Sequence, residues 1–185
     1  MILIAGLGNP GKDYEFTRHN IGFRIADKFI EGFEKKSFYK KFDSLICESS
    51  FSDQKLIIIK PQTFMNNSGI SIALYYRSFG NQIDSLLVIH DDIDIEFGEI
   101  RLKRGGSTGG HKGLESIVES LGNCEFDRLR FGIGRPPGKQ DPADYVLEEF
   151  KKKEKEDVEI GVQRSVDIIK DYLTEGIEFA MNKYN

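Results

Sequence analysis

The sequence lacks three features that would place the protein in a special class. It has no apolar run near the roughly 18 residues that a membrane span requires. It has no basic leader followed by a short apolar core, which a secreted precursor would carry. Its two cysteines, Cys47 and Cys124, form no CxxC pair, which favours two buried thiols over a disulfide or a metal site. We therefore expect a cytoplasmic protein that makes no contact with a membrane.

Positive charge is also scarce in the chain as a whole, but not in one segment. The 185 residues hold 26 lysines and arginines against 30 acidic residues, for a net charge of −4. Residues 101–139 reverse this balance, with eight basic residues against four acidic ones. Because attraction between charges is screened beyond roughly 8–10 Å, a local basic surface is sufficient to bind phosphate groups. The acidic average therefore does not exclude a nucleic acid as partner.

The apolar pattern predicts strands and helices that alternate along the chain. Strands are predicted at residues 2–7, 45–51, 56–59, 86–89, 100–103 and 129–133, the second and third forming a hairpin. Four helices are predicted. The first begins at Asn20, which could cap it, the second follows Asn67, and the third runs from a glycine-rich loop to Leu121. The fourth covers residues 158–173 and is preceded by a charged first turn at 151–157. This order predicts a single α/β domain over residues 1–185, with a central mixed sheet between two layers of helices. A chain of this length buries a normal core without a disulfide or metal to stabilise it.

Two glycine-rich segments have to be compared with known nucleotide-binding motifs. Residues Gly6–Gly11 match G-x-G-x-x-G after a strand. However, Pro10 lies inside the motif and the helical pattern begins only near residue 20, whereas a dinucleotide site needs the helix at once. We interpret this segment as a sharp turn that presents Asn9. Residues Gly105–Gly113 lack the Lys-Ser/Thr pair of a Walker A motif, so they predict a mobile loop or a close approach to a ligand, and not NTP hydrolysis.

Histidine and acidic side chains supply the candidate chemistry. His19 directly precedes the first predicted helix, and histidine suits a general base because it is half-protonated near neutral pH. His90, Asp91 and Asp92 close a buried strand, and Asp94 follows. The acids could hold Mg²⁺, or one of them could orient a histidine by accepting its Nδ1 proton. The residues alone leave both interpretations open, together with a plain turn of solvated acids.

Basic residues alternate with apolar ones in two of the predicted strands. Arg128 and Arg130 share one face of their strand, and Arg101 and Lys103 share one face of theirs. Two such pairs could bind an RNA phosphate. The alternative is that they are charged strand edges that discourage aggregation.

Taken together, these segments resemble the bacterial peptidyl-tRNA hydrolase family. The resemblance is carried, in the family's order and spacing from residue 1 to about 138, by Gly6–Gly11, Tyr14, Thr17–Asn20, Pro61–Gly69, His90–Asp92, Gly109–His111 and Arg128–Pro136. It implies a monomeric hydrolase with no cofactor and no metal, without an obligate protein partner, that cleaves the ester between peptide and tRNA.

The resemblance also implies a role for individual residues. His19 would be the base that activates water, and Asp91 would hold it in the useful tautomer. Asn9 would sense the peptide, and the 5′-phosphate would be clamped by Lys103 and Arg130. The remaining implied contacts, to the 3′ end and acceptor stem of the tRNA or within the active site, are Tyr14, Phe64, Met65, Asn66 and His111.

Two positions depart from the family pattern. Lys112 stands where the family usually has asparagine after the loop histidine, and Asp92, a milder change, stands where many relatives have glutamate. An amide donates and accepts hydrogen bonds, whereas an ammonium only donates, so Lys112 could still bind a terminal ribose or phosphate of the tRNA but could not accept a hydrogen bond from a water. Two other classes of protein therefore stay open: a tRNA-binding protein without turnover, suggested by Lys112, and a metal-dependent phosphohydrolase that would use Asp91, Asp92 and Asp94.

The residues support a simple mechanism for the hydrolase. His19 would take a proton from water as the water attacks the ester carbonyl, and the Asn66 amide is the candidate donor to the oxyanion. No serine stands in a G-x-S-x-G context, so we expect no covalent nucleophile.

Overall fold

The computed structural model describes residues 1–34 and 37–185. Its strands are β1 Ile2–Gly6, β2 Tyr39–Lys41, β3 Ser44–Phe51, β4 Gln54–Pro61, β5 Ser85–Asp92, β6 Ile100–Arg104 and β7 Asp127–Gly132. Its α-helices are α1 Ile21–Ile30, α2 Ser68–Phe79, α3 Lys112–Leu121, α4 Pro142–Val146 and α5 Lys155–Tyr184. Short 3₁₀ turns lie at Lys12–Tyr14, Arg18–Asn20, Met65–Asn67, Gly80–Gln82 and Lys152–Glu154.

The seven strands form one mixed sheet in the order β2-β3-β4-β1-β5-β7-β6. The four central strands β4, β1, β5 and β7 are parallel, and β2, β3 and β6 run antiparallel to their neighbours at the two sides. The carboxyl ends of β1, β5 and β7 consequently meet at one edge of the sheet. In open α/β sheets this edge is where ligands bind.

Apolar side chains alternate between the two faces of the sheet and bury a layer of helices on each. Ile2 and Ile4 of β1 join the core under α1 and α5, whereas Leu3 and Ala5 join the core under α2 and α3. Every residue of β1 is buried, as expected for a central strand covered on both sides. The prediction of a mixed sheet between two helical layers is confirmed.

The first helix starts unusually close to the sheet. A Cβ added at Gly22 would lie 2.4 Å from the Ile89 carbonyl oxygen and 2.5 Å from the Leu7 nitrogen. Only glycine allows this approach. The turn that precedes α1, which contains His19, is therefore held at the carboxyl ends of β1 and β5.

Several details differ from the sequence-based expectations. Strand β2 and helix α4 were not predicted, because three residues and five residues are too few to show a period. Cys47 is buried as expected, but Cys124 is only half-buried. The predicted tail helix is α5, which is interrupted at Gly176, where φ is 84° and ψ is 174°. Among the described residues, none of the helices combines the length and apolarity needed to cross a membrane.

Candidate active site

The fold brings His19 and Asp91 together across 72 positions of sequence. The Nδ1 atom of His19 lies 2.8 Å from Oδ1 of Asp91. Both residues are nearly inaccessible, at 8% and 1% exposure. A carboxylate can only accept a hydrogen bond, so Nδ1 of His19 carries the proton and Nε2 presents its lone pair. This is the tautomer that a general base for water requires.

The turn that contains His19 is fixed on one side by two asparagines. The Asn9 backbone N–H donates to Oδ1 of Asn20 at 2.8 Å, and Nδ2 of Asn20 donates to the Asn9 carbonyl at 2.9 Å. Asn20 occupies the N-cap position of α1 as expected, but its side chain accepts no hydrogen bond from the helix N–H groups. The Asn20 amide instead bonds to the backbone of Asn9 and so joins the loop after β1 to the turn that contains His19.

Arg18 fixes the same turn from the other side, and sequence reasoning assigned it no role. It is 1% exposed, and its guanidinium donates to the carbonyl of Glu149 at 2.7 Å and to the carboxylate of Glu154 at 3.0 Å. Its guanidinium carbon lies 4.4 Å from the centre of the Tyr145 ring, a cation–π contact. A basic residue next to a candidate histidine is a weak signal, since most arginines are exposed.

A second imidazole donates to the same oxygen of Asp91. Nδ1 of His111 accepts from the backbone N–H of Gly113 at 3.2 Å and more weakly from that of Leu114, and thereby caps α3. With Nδ1 acting as acceptor, Nε2 must carry the proton, and it lies 3.0 Å from Oδ1 of Asp91. The helix cap therefore fixes the tautomer of His111 as a donor to Asp91.

The two histidines determine the charge state of Asp91. Burial alone would raise the pKa of the Asp91 carboxyl, but attraction to His19 and His111 and their hydrogen bonds outweigh it, and the pKa is lowered. Asp91 is consequently ionised at neutral pH. A buried carboxylate needs such donors, because an unpaired charge in the interior is costly.

His90 forms part of the wall behind this pair. It is 2% exposed, its Nδ1 donates to the Asp91 carbonyl at 2.6 Å, and its ring meets the His111 ring edge-on at a centroid distance of 4.9 Å. Burial lowers the pKa of His90 well below its ordinary value. His90 is therefore a neutral residue that supports the His111 ring.

A cavity of about 370 Å³ connects His19 and Asp91 with the basic strands. That volume lies within the ordinary range for ligand sites. The cavity is bounded by the ends of β5 and β7, by the glycine-rich loop and by α4, and its wall includes Lys103, Arg130, His111 and Lys112. A second cavity of about 350 Å³ lies beside Asn9, where Phe23 and Lys60 also line it.

Lys103 and Arg130, the pair that the family resemblance implies for the 5′-phosphate, both line the first cavity. Lys103 is exposed, and Arg130 is half-buried with its Nε atom 2.8 Å from Oδ2 of Asp92. Asp94 pairs with Arg135. The acids at the end of β5 are thus each engaged by a basic or imidazole group, and they do not converge on one point as a three-carboxylate magnesium site would require.

The interpretation of Arg128 as a phosphate ligand does not fit its geometry. Arg128 is 2% exposed, although it lines the same cavity, and its two terminal nitrogens donate to the carbonyls of Ser107 and Gly106, each at 2.7 Å. Arg130, two residues later on the same face, keeps its charge at the cavity. Alternation along a strand predicted the shared face correctly, but it could not show which of the two arginines lies under the loop.

The segment from Thr63 to Asn67 presents an aromatic ring beside Asn9. Phe64 is 49% exposed, has φ of 59° and ψ of 160°, and meets the Tyr14 ring edge-on at 6.2 Å. Met65 is buried, and its backbone N–H donates to Oδ1 of Asn9 at 2.7 Å. Asn66 is exposed, and within residues 1–34 and 37–185 its side chain receives and donates no hydrogen bond. Met65 thus lies in the core instead of at the surface where a tRNA contact would be expected.

Lys112 points away from the imidazoles. It is the first residue of α3, its side chain is 69% exposed, and its Nζ lies 3.0 Å from Oε2 of Glu115 one turn along the helix. It lines the outer part of the first cavity. The ammonium therefore lies where an anionic ligand could reach it, at the rim.

His19, Asp91 and His111 also form a group whose donor atoms all lie within 4.8 Å of one another, close enough to suggest a metal site. Metal ligands must be deprotonated. Nε2 of His111 carries a proton as long as Nδ1 accepts from the start of α3, and a metal on Nδ1 of His19 would move the proton to Nε2. The donor set therefore fits proton transfer better than metal binding.

Comparison with known proteins gives one consistent result. The family model described as peptidyl-tRNA hydrolase matches residues 3–185. The peptidyl-tRNA hydrolase of Syntrophomonas wolfei is 40% identical over 185 residues, which is 100% of both chains, and that of Nocardia farcinica is 42% identical over 98% of this chain and 94% of its own. The crystal structure of peptidyl-tRNA hydrolase from Acinetobacter baumannii superposes with a TM-score of 0.91 at 31% identity, covering 100% of this chain and 94% of that one.

Proposed function

The chain belongs to the peptidyl-tRNA hydrolase family, and from this premise we propose that it cleaves the ester between peptide and tRNA with His19 as general base. The reaction would recycle tRNA from unfinished translation products. The observation that supports this most directly is the 2.8 Å contact between His19 and Asp91 on the wall of a cavity that also reaches two basic residues. It combines a base for water with a means of binding phosphate.

The proposed reaction needs one proton to move twice. Nε2 of His19 takes a proton from water as the water oxygen attacks the ester carbonyl carbon. The bond between that carbon and the tRNA 3′-oxygen then breaks, and the imidazolium returns the proton to the leaving oxygen. Asp91 stabilises the imidazolium by its charge, and His111 keeps Asp91 in position by donating to the same oxygen.

The developing oxyanion requires a donor, and we assign it to the amide of Asn66. Asn66 follows Met65, whose backbone is held by Asn9, and its amide has no other partner among the residues described. A donor to the oxyanion typically lowers the barrier by about 2.7–4 kcal/mol, so Asn66→Ala should reduce kcat by about 10²–10³-fold. The exposed ring of Phe64 is available for the terminal base to stack on, and Tyr14 supports that ring.

Selectivity would arise from contacts at both ends of the substrate. Lys103 and Arg130 bind the 5′-phosphate, and Asn9 senses the peptide, for which the second cavity offers space. His111 and Lys112 line the first cavity together with Lys103 and Arg130. An ester that lacks a tRNA or a peptide would lose one set of contacts, and we expect it to be a poor substrate.

The experiment that tests the proposed function uses the purified full-length chain with two substrates. N-blocked aminoacyl-tRNA should be hydrolysed and free aminoacyl-tRNA should be spared, with the same rates in the presence of EDTA. A loss of activity in EDTA that is restored by a divalent cation would contradict the metal-independent mechanism. Tight tRNA binding without ester cleavage would instead support the alternative of a binding protein, which the exposed Lys112 motivates.

Removal of both phosphate ligands should raise KM without abolishing chemistry. We expect the Lys103→Ala, Arg130→Ala double variant to raise KM and to reduce the slope of log(kcat/KM) against log salt by about one, since about one counterion is released per phosphate contact. The matched control is Arg101→Gln, which removes one exposed charge from β6 and should change the slope less. With a substrate that lacks the 5′-phosphate, the double variant and the wild type should have the same KM and the same salt slope. A difference that persists with this substrate would contradict binding of the 5′-phosphate by Lys103 and Arg130.

A further inference from the structure

The glycine-rich loop is held from beneath by a buried arginine. The guanidinium of Arg128 spans the carbonyls of Gly106 and Ser107 with two hydrogen bonds of 2.7 Å, and its carbon lies 4.8 Å from the centre of the Phe126 ring. Hydrogen bonds from a charged donor are about twice as strong as neutral ones. Burial lowers the pKa of Arg128, but an arginine starts so high that it stays charged. The loop is therefore held by a cation whose two terminal nitrogens each donate to a loop carbonyl.

The glycine-rich loop needs such support because its glycines can adopt many backbone conformations. Gly105, Gly106, Gly109 and Gly110 all have positive φ angles, between 59° and 92°. Chains rich in glycine lose more conformational freedom on ordering than other chains. Besides the bonds from Arg128, the hydrogen bonds that restrain this segment within the described part of the chain include those from the Gly105 N–H to the Phe126 carbonyl, from the His111 N–H to the Thr108 carbonyl and, more weakly, from the Gly110 N–H to Oγ1 of Thr108.

The end of this loop is the residue that donates to Asp91. His111 follows Gly110, caps α3 with Nδ1 and directs Nε2–H to Asp91. A continuous series of contacts therefore runs from Arg128 through the loop carbonyls to His111, then to Asp91 and finally to His19. A displacement of the loop by 1 Å would be felt at the base, where errors of this size cost about 10²-fold in rate.

We propose that Arg128 is a positioning residue that fixes the glycine-rich loop and thereby holds His111 on Asp91. It contrasts with Arg130, two residues later on the same face, which is half-buried and keeps its charge at the cavity. The kinetic part of this inference rests on the proposed function, whereas the effect on the loop does not. Both hydrogen bonds of Arg128 are formed within the protein, so its effect on the loop can be measured without tRNA.

The two arginines make a matched pair for the test. Arg128→Gln should lower kcat by about 10–100-fold with KM and the salt slope of kcat/KM near those of the wild type. Arg130→Gln should raise KM and reduce the salt slope, by no more than the Lys103→Ala, Arg130→Ala double variant does, while kcat changes little. Hydrogen exchange provides a readout without substrate: the amides of Gly105 and His111 should exchange faster in Arg128→Gln and at the wild-type rate in Arg130→Gln.

A double-mutant cycle tests the route through His111. If Arg128 acts by holding His111, the combination of Arg128→Gln with His111→Asn should cost no more in kcat than the larger single loss. Fully additive losses would overturn the route. A salt slope reduced by about one in Arg128→Gln, with unchanged loop exchange, would overturn the proposal altogether and make Arg128 a phosphate ligand.

Arg128→Lys covers the case in which the glutamine variant does not fold. It keeps the charge but can engage the two carbonyls less well than a planar fork, so kcat and loop protection should both fall to a smaller extent. Wild-type values of both kcat and loop protection in Arg128→Lys would contradict the proposal. If the wild type fails to hydrolyse peptidyl-tRNA, the proposed function is wrong, but loop exchange in the variants still decides whether Arg128 fixes the loop.

Discussion

His19→Ala should lower kcat for N-blocked aminoacyl-tRNA by roughly 10²–10⁴-fold, the usual contribution of a positioned general base. The side chain of His19 lies 2.8 Å from Asp91 and lines the cavity. Among the described residues, it is the one imidazole that combines an unprotonated nitrogen at the cavity with a carboxylate partner. The affinity for tRNA should change little, because Lys103 and Arg130 are untouched. The measurements are single-turnover ester cleavage and equilibrium binding of the uncharged tRNA.

Two controls separate loss of the base from loss of the fold. Deleting one donor to the buried Asp91 carboxylate should reduce the free energy of unfolding by about 1–3 kcal/mol, which leaves a folded protein that a thermal melt can verify. Added imidazole should restore part of the activity, since the small molecule can occupy the space of the missing ring. Near-normal cleavage by folded His19→Ala would show that another group activates the water.

Asp91→Asn should reduce kcat to a similar extent, by roughly 10²–10⁴-fold. Asparagine keeps the shape but loses the charge that stabilises the imidazolium, and its NH₂ group disfavours the tautomer with the proton on Nδ1 of His19. Without that charge the acidic limb of the pH–rate profile should move to lower pH. Retention of the wild-type rate and profile would contradict the role of Asp91.

The same variant should alter the dependence of stability on pH. The pKa of the Asp91 carboxyl is lowered in the fold: burial opposes the shift, and the two histidines outweigh it. A group of this kind stabilises the fold above its unfolded pKa, near 3.9 for aspartate, and that contribution is lost as pH falls through the folded value. The free energy of unfolding of Asp91→Asn, measured with denaturant from neutral to acidic pH, should therefore fall less steeply than that of the wild type.

The sequence predicted the sheet and helices because their apolar periods are long. Strand β5 and helix α3 each have eight or more residues, which is enough for a pattern, whereas α4 has five. Yet α4 bounds the cavity on the side opposite the sheet. Its contribution comes from its position after the loop that follows β7, and local sequence does not carry that information.

The sequence indicated the chemistry of the candidate site, but not the residues that hold the turn with His19 in place. The pairing of His19 with Asp91 was implied by the family resemblance, whereas the residues alone left the role of Asp91 open; in the structure the two side chains lie 2.8 Å apart. The roles of Asn20 and Arg18 depend on partners 11 and more than 130 residues away, respectively. Such long-range polar contacts leave no period in the sequence, so Asn20 was interpreted as a helix cap and Arg18 received no role.

The backbone at Phe64 has a consequence for how this protein could be improved or could evolve. Its φ of 59° with ψ of 160° lies in a region that is essentially reserved for glycine and costs about 1–3 kcal/mol for other residues. The ring gains only partial burial in return, because about half of it faces solvent. If the terminal base stacks on Phe64 as proposed, thermal stability and substrate binding oppose each other at this position, and selection for heat resistance alone would favour glycine over the aromatic residue.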